Sequence, residues 1–201
     1  MATDTKLTAR AGYNGYAVLE LNQVAFPRDG RIEAQLPLDG TLFARATGVP
    51  AEVGMILKVD KAGGVIKFAE STDKVGTLYA LNYSTEHMYD ERLPQLKNFC
   101  QYAADSSSDM LGYDDFYPRL GYLAVGDRFT TNAIVCDDAA DVKTLVGKFL
   151  TASVATGFEG YWEEIAAADV GDAVAPVVQI VEGTTCPNGI DPAVKVVVVK
   201  A

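Results

Sequence analysis

The chain has 201 residues, 49% hydrophobic and 22% charged, ordinary proportions for one globular domain that can bury a core without disulfide or metal staples. Its formal charge of -10 repels a phosphate backbone and an anionic membrane surface alike, which argues against nucleic-acid and membrane partners. Three widely spaced cysteines with no CxxC exclude a secreted disulfide framework and fit a reducing compartment. Residues 1–15 hold no apolar core of the kind a secretory leader uses, and no apolar run approaches the ~18 residues of a membrane span.

Residues 1–36 set Lys6, Arg10, Arg28 and Arg31 against Asp4, Glu20, Asp29 and Glu33, so the whole charge deficit lies after residue 36. A neutral front on an acidic body suits an extended N-terminal arm with short strands that docks on a partner, followed by a β-rich body over 37–201. Within the arm, YAVLELNQVAF (16–26) has a β bias. Pro27-Arg28-Asp29-Gly30 has the composition of a type I turn, and Ile32, Ala34, Leu36 and Leu38 alternate as on one face of a strand that Pro37 marks as an edge.

Thr41–Ala46 reads as a short strand. Met55–Asp60 and Val65–Phe68 read as a hairpin around the glycine-rich Lys61-Ala62-Gly63-Gly64 loop. Val75–Tyr83 reads as a further strand. Residues 84–118 are irregular, broken by Pro94, Pro118 and the serines at 106–108. Leu120–Leu123 and Arg128–Cys136 are strands about the turn Val125-Gly126-Asp127. Val142, Leu145, Val146, Phe149 and Leu150 recur at helical spacing and predict one amphipathic helix over about 139–151. Asp137, Asp138 or Asp141 would cap it, and Gly157 would stop it. Residues 158–165 fit no single period. Ala173–Val181 and Val194–Lys200 are strands, and the run VKVVVVK is so apolar that both its faces should be covered. The expected fold is mainly β, a small barrel or sandwich with that one helix.

Residues 78–138 concentrate the chemistry-bearing side chains: seven of ten tyrosines, the sole histidine and two of three cysteines. His87 stands without the companions a zinc site or a catalytic triad recruits, and no G-x-S-x-G occurs. Gly147-Lys148 lacks the rest of a phosphate loop, since Val142 stands where the first glycine belongs and Phe149 where Ser or Thr is needed. The acid pairs Asp90/Glu91, Asp114/Asp115, Asp137/Asp138 and Glu163/Glu164 carry no sign of the set separation a glycosidase imposes. Asp105, Asp109, Asp114 and Asp115 lack the spacing of an EF-hand. No catalytic, cofactor-binding or metal-binding residue is therefore expected. The tyrosines, with Arg92 and Arg119 beside them, suit either a contact surface or the core.

Across about Val53 to Val135 the sequence resembles small β-rich head decoration, or cement, proteins of tailed bacteriophages. The resemblance rests on GMILKVDKAGGVIKFAE, LNYSTEHMYDERLPQLKNF and FYPRLGYLAVGDRFTTNAI. Its most specific parts are Met88-Tyr89-Asp90-Glu91-Arg92, Phe116–Tyr122 and Val125–Asn132. The C-terminal third finds no counterpart in this pattern. The resemblance implies a non-enzymatic virion protein, made in the bacterial host cytoplasm, that binds the outside of an icosahedral capsid and clamps neighbouring subunits. Its partner would be the major capsid protein, with self-association on the capsid surface. The contact residues expected on this reading are Tyr13, Tyr16, Phe26, Arg28, Tyr89, Arg92, Tyr117 and Arg119. A head-fibre base, connector or tail component is the alternative, and a carbohydrate-active enzyme using two carboxylates stands further off.

Overall fold

The computed structural model describes residues 4–7, 17–43, 51–84, 100–101, 117–137, 141–186 and 191–201. The chain is mainly β. In order it forms β1 (Asp4–Lys6), β2 (Leu19–Gln23), a helical turn α1 (Phe26–Asp29), β3 (Ile32–Glu33), β4 (Ala51–Glu52), β5 (Ile56–Asp60), β6 (Val65–Lys67), β7 (Tyr79–Asn82), β8 (Cys100–Gln101), β9 (Leu120–Gly121), β10 (Arg128–Thr131), β11 (Val135–Asp137), β12 (Phe149–Ala152), β13 (Trp162–Ile165), β14 (Val177–Thr185) and β15 (Pro192–Lys200). These pair antiparallel into a six-stranded sheet, β13-β12-β14-β15-β10-β2, a five-stranded sheet, β3-β9-β7-β5-β6, and two small sheets, β1-β11 and β4-β8.

The local signals that build these sheets are plain where strands are sequential. β5 and β6 pair Lys58 with Lys67, Val59 with Ile66 and Asp60 with Val65. Asp60 closes their loop by accepting from the Gly63 amide at 2.8 Å and from the Lys67 ammonium at 2.9 Å. β14 and β15 form a long hairpin in which Val194, Val196 and Val198 point into the core. Val197 and Val199 on the other face stay half-buried, so the valine run is covered fully on one side and partly on the other.

The six-stranded sheet curls until its β13 edge meets the chain running on from β10. Ile134 bridges Trp162 in the parallel sense, and the Trp162 amide donates to the Ala133 carbonyl at 2.9 Å. This falls short of a closed barrel. Trp162 is fully buried, its indole N–H donating to the Gly54 carbonyl at 2.9 Å and its ring centroid 5.9 Å from that of Phe129. One continuous hydrophobic cluster joins the sheets, with Phe129, Leu150, Val178 and Val196 from the larger and Ile56, Leu57, Ile66, Leu81 and Leu120 from the smaller. Each such large apolar side chain contributes roughly 1.5–3 kcal/mol on burial.

Two expectations are corrected. The amphipathic helix over about 139–151 does not form. Val142–Leu145 makes a single 3₁₀ turn, capped by Asp141 accepting from the Lys143 amide at 3.0 Å. Gly147 then adopts a φ of 90°, and the Gly147 amide donates to the Ile180 carbonyl at 2.8 Å, steering the chain into the sheet. Phe149 and Leu150 belong to β12, which fills the gap between β13 and β14, so tertiary pairing outweighs the helical spacing. The described part of residues 1–36 is also not a detached arm. β1 pairs with β11, β2 with β10 and β3 with β9, and Leu7, Ala17 and Phe26 lie in the common core with 0% exposure. No described helix is long and apolar enough to cross a membrane.

Candidate functional site

Of the eight expected contact residues, Tyr13, Tyr16, Tyr89 and Arg92 lie outside the described residues, as do His87 and the acids at 105, 109, 114 and 115. Arg28, Tyr117 and Arg119 are exposed. Phe26 is not a surface residue. Pro27 in the first turn of α1 and Gly30 at its left-handed C-cap make a tight reversal that turns the Phe26 ring inward onto Gly121 and against Tyr83, with ring centroids 4.7 Å apart. Tyr117–Arg119 approaches the same place. The Tyr83 amide donates to the Arg119 carbonyl at 3.0 Å, and the Arg119 amide donates to Ser84 Oγ at 2.8 Å. Burial raises the Tyr83 hydroxyl pKa, against the opposing charge of Arg119. The Phe26, Tyr83 and Arg119 segments thus converge, with the Tyr117 and Arg119 side chains left outside as a lip.

Among the described residues the most exposed large apolar side chain is Val75, 92% accessible at the tip of the loop before β7. Leu78 (42%) and Val174 (37%) stand with it around a shallow hollow of about 330 Å³, also lined by Tyr122, Leu123 and Pro176. Both walls are held firmly. The Lys58 ammonium donates to Asp73 and to Glu70, the Tyr79 hydroxyl donates to Asp73 at 2.7 Å, and the Glu70 amide donates to Asp73 at 2.8 Å. Burial works to raise the Asp73 carboxyl pKa, yet these donors hold it below the usual carboxylate range. Burial likewise pulls Lys58 down, but the Asp73 and Glu70 carboxylates hold it above the ordinary lysine value. On the other wall, Lys200 Nζ donates to the Gly171 and Ala173 carbonyls, both at 2.6 Å.

No protein-family model, curated protein or solved structure matches this chain. The site has to be read from its own residues. Val75, Leu78 and Val174 leave an exposed apolar rim around the hollow, and the loop that carries the first two is tightly pinned. Sequence reasoning placed Val75 at the start of a strand; a single valine between Lys74 and Gly76 carries no signal that it sits at a loop tip.

Several buried polar groups are engaged inside the fold, whereas the Tyr122 hydroxyl and Asn132 Nδ2 find no hydrogen-bond partner among the described residues. Glu52, 5% exposed, accepts from the Ala17 amide at 2.6 Å and from the Tyr161 hydroxyl at 2.7 Å, while the Lys6 ammonium lies 4.4 Å from the Tyr161 ring centroid. Burial raises the Glu52 carboxyl pKa, opposed by those two donors and by Lys6. Asn132 Oδ1 accepts from the Val18 amide at 2.6 Å. Together these fasten residues 17–18 to the body. Of the acid pairs, Glu163 and Glu164 sit in β13, where successive side chains diverge, and Glu164 is bound by Lys148 at 2.6 Å. Among the described residues no three His, Cys, Asp or Glu side chains converge as metal ligands would.

Proposed function

We propose that the protein is a non-enzymatic structural component of a tailed-phage head, which binds the outside of the icosahedral capsid and stabilises contacts between capsid subunits. The observation that carries this reading is an apolar rim in which Val75 and Leu78, presented on a loop whose geometry is set by the Lys58–Asp73–Tyr79 network, stand with Val174 of the opposite wall. The resemblance over about Val53 to Val135 spans that loop and the Tyr117–Arg119 lip, so the same stretch supports the reading from sequence. Pre-ordered apolar side chains lose little entropy on docking, which favours contact with a partner. Clamping works by mass action: a protein that binds the assembled shell and not its separated subunits raises the stability of the shell.

The test mixes purified protein with expanded capsids that lack it, followed by image reconstruction and heating. Density at symmetry-related positions across the shell, with a rise in the temperature of capsid disruption, is the expected result. Val75→Asp and Leu78→Asp should remove both while leaving the free protein folded. Absence of bound density and of any gain in heat resistance would sink the proposal. Density confined to a ring at one vertex would instead favour a connector or tail component.

A further inference from the structure

Among the described residues, β2 is an open end strand of the six-stranded sheet. β2 pairs with β10 on one side, and among the described residues no strand lies on the other. Glu20, Leu21, Asn22 and Gln23 are all exposed, and Leu21 keeps 39% of its accessible surface. An edge strand carries unpaired N–H and C=O groups that another strand can take up, and natural edges are commonly guarded by lysine or proline. The β2 sequence, LELNQ, has neither.

Two contacts fix which backbone groups face outward. The Val18 amide donates to Asn132 on the β10 side, and the Val198 amide donates to the Asp127 carbonyl on the β15 side. Alternation along each strand then turns Thr130 toward β2 and its pair Glu20 toward β10. The amides and carbonyls of Leu19 and Leu21 therefore point away from the sheet. An antiparallel partner must oppose these two residues with outward residues of its own.

We propose that the occupant is a second copy of the chain, its β2 running antiparallel with the two Leu21 residues face to face. This register exchanges two main-chain hydrogen bonds between the leucines. It also sets Glu20 of each copy beside Asn22 of the other, where the side-chain amide can donate to the carboxylate. Sliding the pair so that Leu19 faces Leu21 would set Glu20 against Glu20, a like-charge pair that destabilises a ladder. Sliding it further, to Leu19 against Leu19, would require Ala17, which is fully buried. A bulge where Leu21 and Gln23 face Phe129 and Arg128 limits the ladder beyond Leu21, so the contact is small and the dimer weak.

Sedimentation equilibrium of the full chain over a wide concentration range tests this. The expected result is a reversible monomer–dimer equilibrium. Leu21→Pro removes an outward amide without touching the bonds to β10, a placement that edge strands tolerate. It should leave a monomer at every concentration with an unchanged thermal midpoint. Asn22→Glu opposes two carboxylates twice by symmetry and should raise the dissociation constant about tenfold. Adding Glu20→Lys gives each new carboxylate an ammonium partner and should restore the dimer. A wild-type chain that stays monomeric throughout overturns the proposal and leaves the edge to a strand of another protein. A dimer indifferent to Leu21→Pro, with the fold retained, overturns it too. Should that variant unfold, the Asn22→Glu loss and its rescue by Glu20→Lys decide the matter, and a dimer that neither change moves overturns the proposal.

Discussion

The ring of Phe26 lies against the backbone of Gly121 so closely that a Cβ at position 121 would stand 2.5 Å from it. α1 and β9 thus meet through an aromatic ring on one side and a missing side chain on the other. Gly121→Ala should cost roughly 2–3 kcal/mol through overpacking, and Phe26→Ala about 3–5 kcal/mol through the cavity it leaves. The double variant should cost less than the sum, because the new methyl enters the vacated space. Urea unfolding of the four proteins measures this coupling, and strict additivity would show that the two residues do not act on one another.

Removal of residues 1–36 should unfold the protein. The deletion takes β1, β2 and β3 from three sheets, and takes Leu7, Ala17 and Phe26 from the core. It also strips Glu52 of the Ala17 amide. Far-UV circular dichroism of the truncated chain is expected to show no cooperative thermal transition. A cooperative transition near that of the full chain would show that these residues are an appendage.

Glu52 should make stability depend on pH in an unusual sense. Burial holds its folded pKa above the unfolded value, opposed by the Tyr161 hydroxyl, the Ala17 amide and Lys6. Such a group stabilises the fold below its unfolded pKa, and that contribution is lost as pH rises through the folded pKa. Glu52→Gln, which keeps an acceptor and cannot ionise, should flatten this part of the profile above the ordinary carboxylate pKa. Glu52→Ala leaves the Ala17 amide and the Tyr161 hydroxyl without their acceptor and should cost about 2–4 kcal/mol. Denaturant midpoints across pH for the three proteins check both expectations.

Asp73 should act in the opposite sense. Its folded pKa is depressed: burial works to raise it, and the Lys58, Glu70 and Tyr79 donors outweigh that. Its contribution is therefore present at neutral pH and lost as pH falls through the folded pKa. Asp73→Asn should cost about 2–3 kcal/mol at pH 7 and progressively less in acid, where the wild-type carboxylate is itself neutralised.

Val75 should be nearly silent in stability and decisive in binding. It is 92% exposed, so Val75→Asp should shift unfolding free energy by no more than about 0.5 kcal/mol. The same change on capsids should abolish retention in a sedimentation assay, and full retention would remove Val75 from the contact surface.

The sequence by itself determined the elements whose partners are near in the chain. Glycine-rich and Gly-Asp turns with flanking alternation disclosed the β5–β6 hairpin and the turn at 125–127, and apolar runs disclosed β14 and β15, because side-chain period and turn chemistry act over a few residues. It also disclosed that the fold is mainly β. What only the tertiary structure decided was the use made of each apolar residue. Val142, Leu145, Val146, Phe149 and Leu150 carry a helical period, yet the space between β13 and β14 takes Phe149 and Leu150 as strand. Phe26 looks like a contact residue beside Arg28, yet the glycine at position 121, far along the chain, draws it inside. Val75 looks like the start of a strand, yet Asp73, bound by Lys58 and Tyr79, holds it out as a loop tip. Local pattern reports which side chains prefer to leave water; long-range pairing and packing select which of them can, and so which remain outside to meet a partner.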